Sequence, residues 1–144
     1  MKIVNEKAKF NYELGERVET GIVLIGAEVK SVKLGQIDMS NAHVRVQSSG
    51  HRAQSELWVV GLHIYPYKHA DVTGYDPKRS RKLLLHQREI LTLQNKMKSG
   101  GLMLVPTAMY IKEGKIKLEI ALARGKRKYE KREAIKKRDL DREM

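Results

Sequence analysis

Apolar and polar residues alternate through the first third of the chain. Phe10, Tyr12, Leu14, Val18, Ile22 and Leu24 hold even positions, with Asn11, Glu13, Glu19 and Gly21 between them. Period two over that distance predicts one long strand, or two, with a single buried face. Glu16 and Thr20 interrupt the apolar face, so a bend or bulge is expected near Gly15 or Gly21. Val29 and Val32 then stand three apart ahead of Gly35, which predicts a short helix over 27–34 with a glycine stop. Short strands are expected over 42–47, 56–61 and 63–65, with Ser48-Ser49-Gly50 turning between the first two. Residues 68–76 read as a loop.

Asp76-Pro77 has the form of an N-cap followed by proline at the first helical position. A long helix over 77–99 follows from the stripe Leu83, Leu84, Ile90, Leu91 and Met97, at ~100° per residue. That stripe puts Leu85 off the core side. Gly100-Gly101 ends the helix. Two strands are expected next, over 102–111 and 116–122, joined by the hairpin Lys112-Glu113-Gly114-Lys115. Pro106 in the first of them requires an edge position or a bulge. Short strands, two helices and regular turns predict a mainly β chain with helices (α+β). An OB-fold-like Greek-key β-barrel flanked by helices fits this pattern, and such barrels often take oligonucleotides.

Composition divides the chain at Arg124. Residues 1–123 read as one barrel domain, and 144 residues suit a single core burying roughly two-thirds of the unfolded surface. Residues 124–144 hold ten Lys/Arg against five Asp/Glu and few apolar groups. Such a segment is expected to be a disordered basic tail when free, able to fold into a helix on a polyanion.

The whole chain carries 29 Lys+Arg against 17 Asp+Glu, a formal charge of +12. An excess of this size favours nucleic acid first and an anionic membrane surface second. Cysteine is absent, which excludes disulfides, thiolate metal sites and cysteine nucleophiles. No apolar run approaches the ~18–20 residues of a membrane span, and the N-terminus lacks a signal-peptide core, so a cytoplasmic protein is expected. There is no phosphate-cradling glycine motif, and the histidines at 43, 51, 63, 69 and 86 lack helical ligand spacing. No metal, cofactor or catalytic residue is therefore expected. A His/Lys ribonuclease-type site is the least implausible enzyme, and only the presence of those residue types points to it.

The binding features are stronger. Arg79-Ser80-Arg81-Lys82 with Arg88 forms a basic run, Lys115 and Lys117 share the polar face of the last strand, and Arg124 to Tyr129 adds an aromatic to a basic stretch. Cations with an interleaved aromatic suit single-stranded or loop RNA.

Five separated motifs, collinear along the chain, resemble those of the SsrA-binding protein family (small protein B). Glu19-Thr20-Gly21-Ile22 with Gly26-Ala27-Glu28-Val29-Lys30-Ser31 is similar to its "EAGI…GTEVKS" signature. Arg79-Ser80-Arg81-Lys82-Leu83-Leu84-Leu85 resembles its "R-x-RKLLL" run, and Gly101-Leu102 through Val105-Pro106 its "GLTLVP" strand. Residues 123–132 resemble its "A-x-GKKxxDKR" tail entry, and Asn5-Glu6-Lys7-Ala8 its opening. Thr20, Ala27, Lys33 and Glu130 depart from the usual Ala, Thr, Arg and Asp. Lys33 in place of Arg exchanges a bidentate phosphate contact for a point charge.

The resemblance implies an OB-like barrel that binds the tRNA-like domain of transfer-messenger RNA and enters stalled ribosomes with it. Elongation factor Tu and alanyl-tRNA synthetase would act indirectly, through the RNA. The tail would lie in the empty mRNA channel by the decoding centre. By motif position the RNA-facing set is Asn5, Glu19, Leu84 and Lys115. Its basic neighbours are Lys7, Lys30, Lys33, Arg79, Arg81, Lys82, Lys117, Arg124, Lys126 and Arg127. Lys128, Tyr129, Glu130, Lys131, Arg132, Lys136 and Lys137 would serve the ribosome. A monomer is expected.

Overall fold

The computed structural model describes residues 1–48 and 54–126. Their elements run β1 (Lys2–Val4), α1 (Glu6–Asn11), β2 (Tyr12–Ile22), α2 (Gly26–Lys33), β3 (Ile37–Asp38), β4 (His43–Ser48), β5 (Ser55–Val60), β6 (His63–Ile64), β7 (Arg81–Leu84), α3 (Gln87–Gly100), β8 (Met103–Lys112) and β9 (Lys115–Gly125). All pairings are antiparallel, and they close on themselves. β8 bridges to β4, then β5, β7, β2 and β9 follow in turn, and β9 returns to β8. β1 lies on β8 as well. The small β3–β6 pair stands apart. Among the described residues the architecture is thus mostly β with three helices.

Leu57, Leu62, Ile64, Leu83, Leu104, Met109, Leu118 and Ile120 fill the interior, and Val32 of α2 with Ile90 and Leu93 of α3 seal it. A second, smaller cluster packs α1 through Ala8 onto Val105 and Ala123, with Tyr12 and Leu14 beside them. The register of β2 against β9 shifts between Leu14 and Arg17. That bulge, at Gly15 as the interrupted pattern predicts, gives one even-numbered stripe two destinations. Tyr12 and Leu14 pack under α1, while Val18 and Ile22 pack on the interior. Thr20 is also buried, and its hydroxyl donates to the Leu118 carbonyl at 2.8 Å.

Gly35 (φ 73°) and Gly101 (φ 60°) stop α2 and α3 in the left-handed region, as expected. The β8–β9 turn has φ of 53° at Glu113 and 76° at Gly114, the signature of a type I′ hairpin. β8 carries its irregularity between Pro106 and Ala108, where proline predicts one. β9 continues past the compositional break at Arg124 as far as Gly125.

The expected helix over 77–99 does not form as one element. Residues 81–84 are a strand, and α3 begins only after His86. Asp76 does accept a backbone N–H, but from Lys78 at 3.0 Å, so it closes a turn instead of opening a helix. As a strand, β7 turns Arg81 and Leu83 inward and leaves Leu84 outward, half exposed at 53%. Leu85 packs against the core. The helical stripe predicts the two leucines the other way round.

Candidate nucleic-acid interface

At one end of the barrel α1 covers the outer face of β2, β8 and β9. At the other end that face is open. Directly opposed residues form a row across it: Lys2 of β1, Tyr110 of β8, Lys117 of β9, Gly21 of β2 and Leu84 of β7. Gly21 leaves the middle of the row bare. A Cβ there would stand 3.2 Å from the Leu84 Cβ. Around this floor lie two adjoining hollows. One, of about 390 Å³, is lined by Ile22, Leu24, Val29, Leu84, Lys115 and Lys117 among others. The other, of about 410 Å³, includes Glu19, Leu84, His86 and Lys117. Glu19, Leu84, Lys115 and Lys117 come from three separate stretches of sequence, and the strand register brings them together.

Glu19 sits beside this row. The Tyr110 hydroxyl donates to its Oε1 at 2.5 Å, and the Lys112 ammonium lies 3.7 Å from the same oxygen. The tyrosine hydrogen bond, helped by the charges of Lys112 and Lys117, holds the Glu19 carboxyl below its ordinary value against the opposing effect of burial. Burial first, and then the bond to Glu19, push the Tyr110 hydroxyl up to about 12. The face therefore presents a fixed carboxylate, a fixed phenol, lysines and an apolar floor. Chemically, lysines can neutralise phosphates, a carboxylate and a phenol can bond base edges or 2′-hydroxyls, and an exposed leucine can meet an unstacked base. Sequence pattern does not single out Tyr110 and Lys112. The run Leu104–Met109 is buried throughout, so no alternation marks Tyr110 as outward.

Other expected site residues lie elsewhere. Lys82 is 3.5 Å from Glu56 on the outside of the barrel. Lys7 donates to the Asn41 side chain at 3.1 Å, and Lys126 anchors the chain to α1 through its N–H to the Asn11 carbonyl at 3.0 Å. Arg124 pairs with Glu13. Lys30 and Lys33 are exposed on α2, and Lys30 stands 5.3 Å above the Tyr67 ring.

Two of the expected RNA-binding residues are engaged inside the protein. Asn5 is 5% exposed. Its side-chain oxygen accepts the Ala8 N–H at 3.2 Å, capping α1, and its amide donates to the Pro106 carbonyl at 2.8 Å and the Met39 carbonyl at 3.2 Å. Arg81 is 0% exposed and ion-paired with Glu28, itself 1% exposed. Its Nε donates to Glu28 Oε2 at 2.6 Å, and its other nitrogens donate to the carbonyls of Leu62 and Pro77. Arg79 holds the second carboxylate oxygen. Both side chains are thus held by partners within the protein, Arg81 wholly buried and Asn5 at the lining of a hollow beside Lys7 and Asn41. Arg127 and the tail residues 128–137 lie outside the described residues.

A closed ring of strands with lysines around an apolar floor defines a β-barrel protein of the nucleic-acid-binding class. A family model described as SmpB protein matches residues 2–144, and the chain belongs to that family. The chain is 49% identical over 140 residues to the SsrA-binding protein of Persephonella marina, and 48% identical over 140 residues to that of a Sulfurihydrogenibium species. Both alignments cover 97% of this chain and 88% of the relative. It also superposes on a solved chain described as "tmRNA-SmpB: a journey to the center of the bacterial ribosome". The TM-score is 0.70 at 38% identity, covering 93% of this chain and 94% of the other.

Proposed function

We propose that this chain binds the tRNA-like domain of transfer-messenger RNA through the open barrel face and accompanies it to stalled ribosomes in trans-translation. One observation carries the location of the site: Glu19, Leu84, Lys115 and Lys117 line adjoining hollows around bare Gly21. The family match supports the identity of the RNA. The chain acts as a cytoplasmic, monomeric binder and not as a catalyst. Elongation factor Tu and alanyl-tRNA synthetase engage the RNA and not this chain. The basic segment from Lys128 onward serves a separate step, reading the empty mRNA channel through Lys128, Tyr129, Glu130, Lys131, Arg132, Lys136 and Lys137.

The test is binding to the tRNA-like domain against an unrelated hairpin of equal length, across a salt series. Selective binding that weakens in Glu19→Ala and Lys115→Ala, yet survives deletion of 130–144, is the expected result. Equal binding to both RNAs with the same salt slope would reduce the chain to a general RNA binder. RNA cleavage by the purified chain, abolished by replacing one histidine, would make it a nuclease instead.

A further inference from the structure

Residues 65–80 form neither helix nor strand, yet they are tied down from below. The Tyr75 hydroxyl donates to the Ile64 carbonyl at 2.9 Å, Ser31 donates to the Tyr65 carbonyl at 2.7 Å, and Arg81 holds the Pro77 carbonyl at 3.0 Å. Glu28 anchors Arg79 and Arg81 together. Irregular segments beyond ~12–15 residues are uncommon in compact domains and are usually functional. The ion network that fixes this segment contributes no residue to the lining of the barrel face described above.

What the tethered loop builds against α2 is a hollow of about 490 Å³ that shares no residue with the Leu84 face. Tyr65, Tyr67, Tyr75, Ile25, Val72 and Arg79 line it. Ile25, Tyr65 and Val72 remain 50%, 46% and 47% exposed. Clustered apolar exposure of this kind marks an interaction site. Arg79 is the cation of the lining, paired there with Glu28, and Lys30 lies over the Tyr67 ring, while Lys33, Lys68 and Lys78 are exposed elsewhere on the same two elements. Asp71 and Asp76 offset part of this charge. Each already accepts a backbone N–H of its own loop and keeps oxygen lone pairs for an amino group. Open tyrosine rings interleaved with cations hold an unstacked base beside its phosphate. A purely apolar peptide would have no use for the lysines.

We propose that this hollow is a second RNA site, taking one unstacked base of a single-stranded segment independently of the barrel face. The experiment is an NMR titration of the 15N-labelled full chain with the trinucleotide UUU, with inorganic phosphate and an apolar tripeptide as parallel probes. UUU should shift amides within 65–75. Tyr65→Ala should weaken that effect about tenfold, in line with the loss of one stacked base. Val72→Asp should weaken it as well, whereas Lys117→Ala should leave it intact. The Tyr65 side chain makes none of the tethering bonds, so Tyr65→Ala should keep the rest of the spectrum. Binding of the tRNA-like domain to Tyr65→Ala and Lys117→Ala, measured alongside, separates failure at this hollow from failure of the barrel face. Four results would overturn the proposal: no loop amide shifts with UUU, the shift persists unchanged in folded Tyr65→Ala and Val72→Asp, phosphate alone reproduces it, or only the tripeptide does.

Discussion

Glu19 is an acid among lysines, and its neighbours decide its charge. Because its carboxyl is held below the ordinary value, it stays ionised through neutral and mildly acidic pH, while Tyr110 stays protonated up to about 12. RNA affinity that depends on this pair should be flat from about pH 6 to 9 and change only as pH falls through the Glu19 value. Tyr110→Phe removes the main cause of the depression. The Glu19 carboxyl carbon, followed by NMR, should then titrate at higher pH, and RNA binding should weaken. At Asn5 the consequence is stability instead. Asn5→Ala leaves the Pro106 and Met39 carbonyls and the first turn of α1 without their partner. It should cost about 1–3 kcal/mol in urea unfolding. Neither the cap of Asn5 nor the ion pair of Arg81 is legible from sequence. Their partners lie up to 101 and 53 positions away, and periodicity carries no information about such distant pairs. Glu19 and Leu84 stand in stretches that resemble family motifs, and only the strand register shows that they share a face with Lys115 and Lys117.

Elements whose neighbours are local can be read from the chain. The β8–β9 hairpin, the glycine stops of α2 and α3 and the bulge in β2 follow from turn chemistry and alternation. β7 reads wrongly as helix because three consecutive leucines after an Asp-Pro pair satisfy a helical stripe as readily as a strand. What decides for the strand is tertiary. Arg81 can turn inward only because Glu28 waits on α2, and Leu83 pairs with both Ile22 and Leu57. Removing that carboxylate leaves a buried guanidinium unpaired, so Glu28→Ala should cost about 3–5 kcal/mol, while Glu28→Leu combined with Arg81→Met should recover much of it. The pH dependence has a definite sign. Burial alone would raise the Glu28 carboxyl, but bonds from Arg79, the Ile25 N–H and Arg81 outweigh it and hold the group below 4.5. Its stabilisation is therefore present above about pH 4.5 and lost as pH falls through the folded value. Wild-type unfolding measured from pH 7 to 3 should show that loss, and the Leu/Met double variant should not.

Across the whole molecule, charge and shape divide the work. Deleting 127–144 removes cations without touching the described barrel. The salt slope of RNA binding should then shrink by about 0.7–0.9 for each phosphate no longer neutralised, with selectivity kept. The ring itself has a consequence during synthesis. β2 is made early, but its neighbour β9 is made last, and Glu13 meets Arg124 across 111 positions. While the chain leaves the exit tunnel, the early strand has no partner on that side. Lys117 and Tyr110, two of the five members of the outer row, arrive only with the final hairpin. Pairings this distant form late and slowly. A fragment that stops before β9 lacks Lys115 and Lys117, so the proposed RNA face is complete only once this strand docks on β2 and β8.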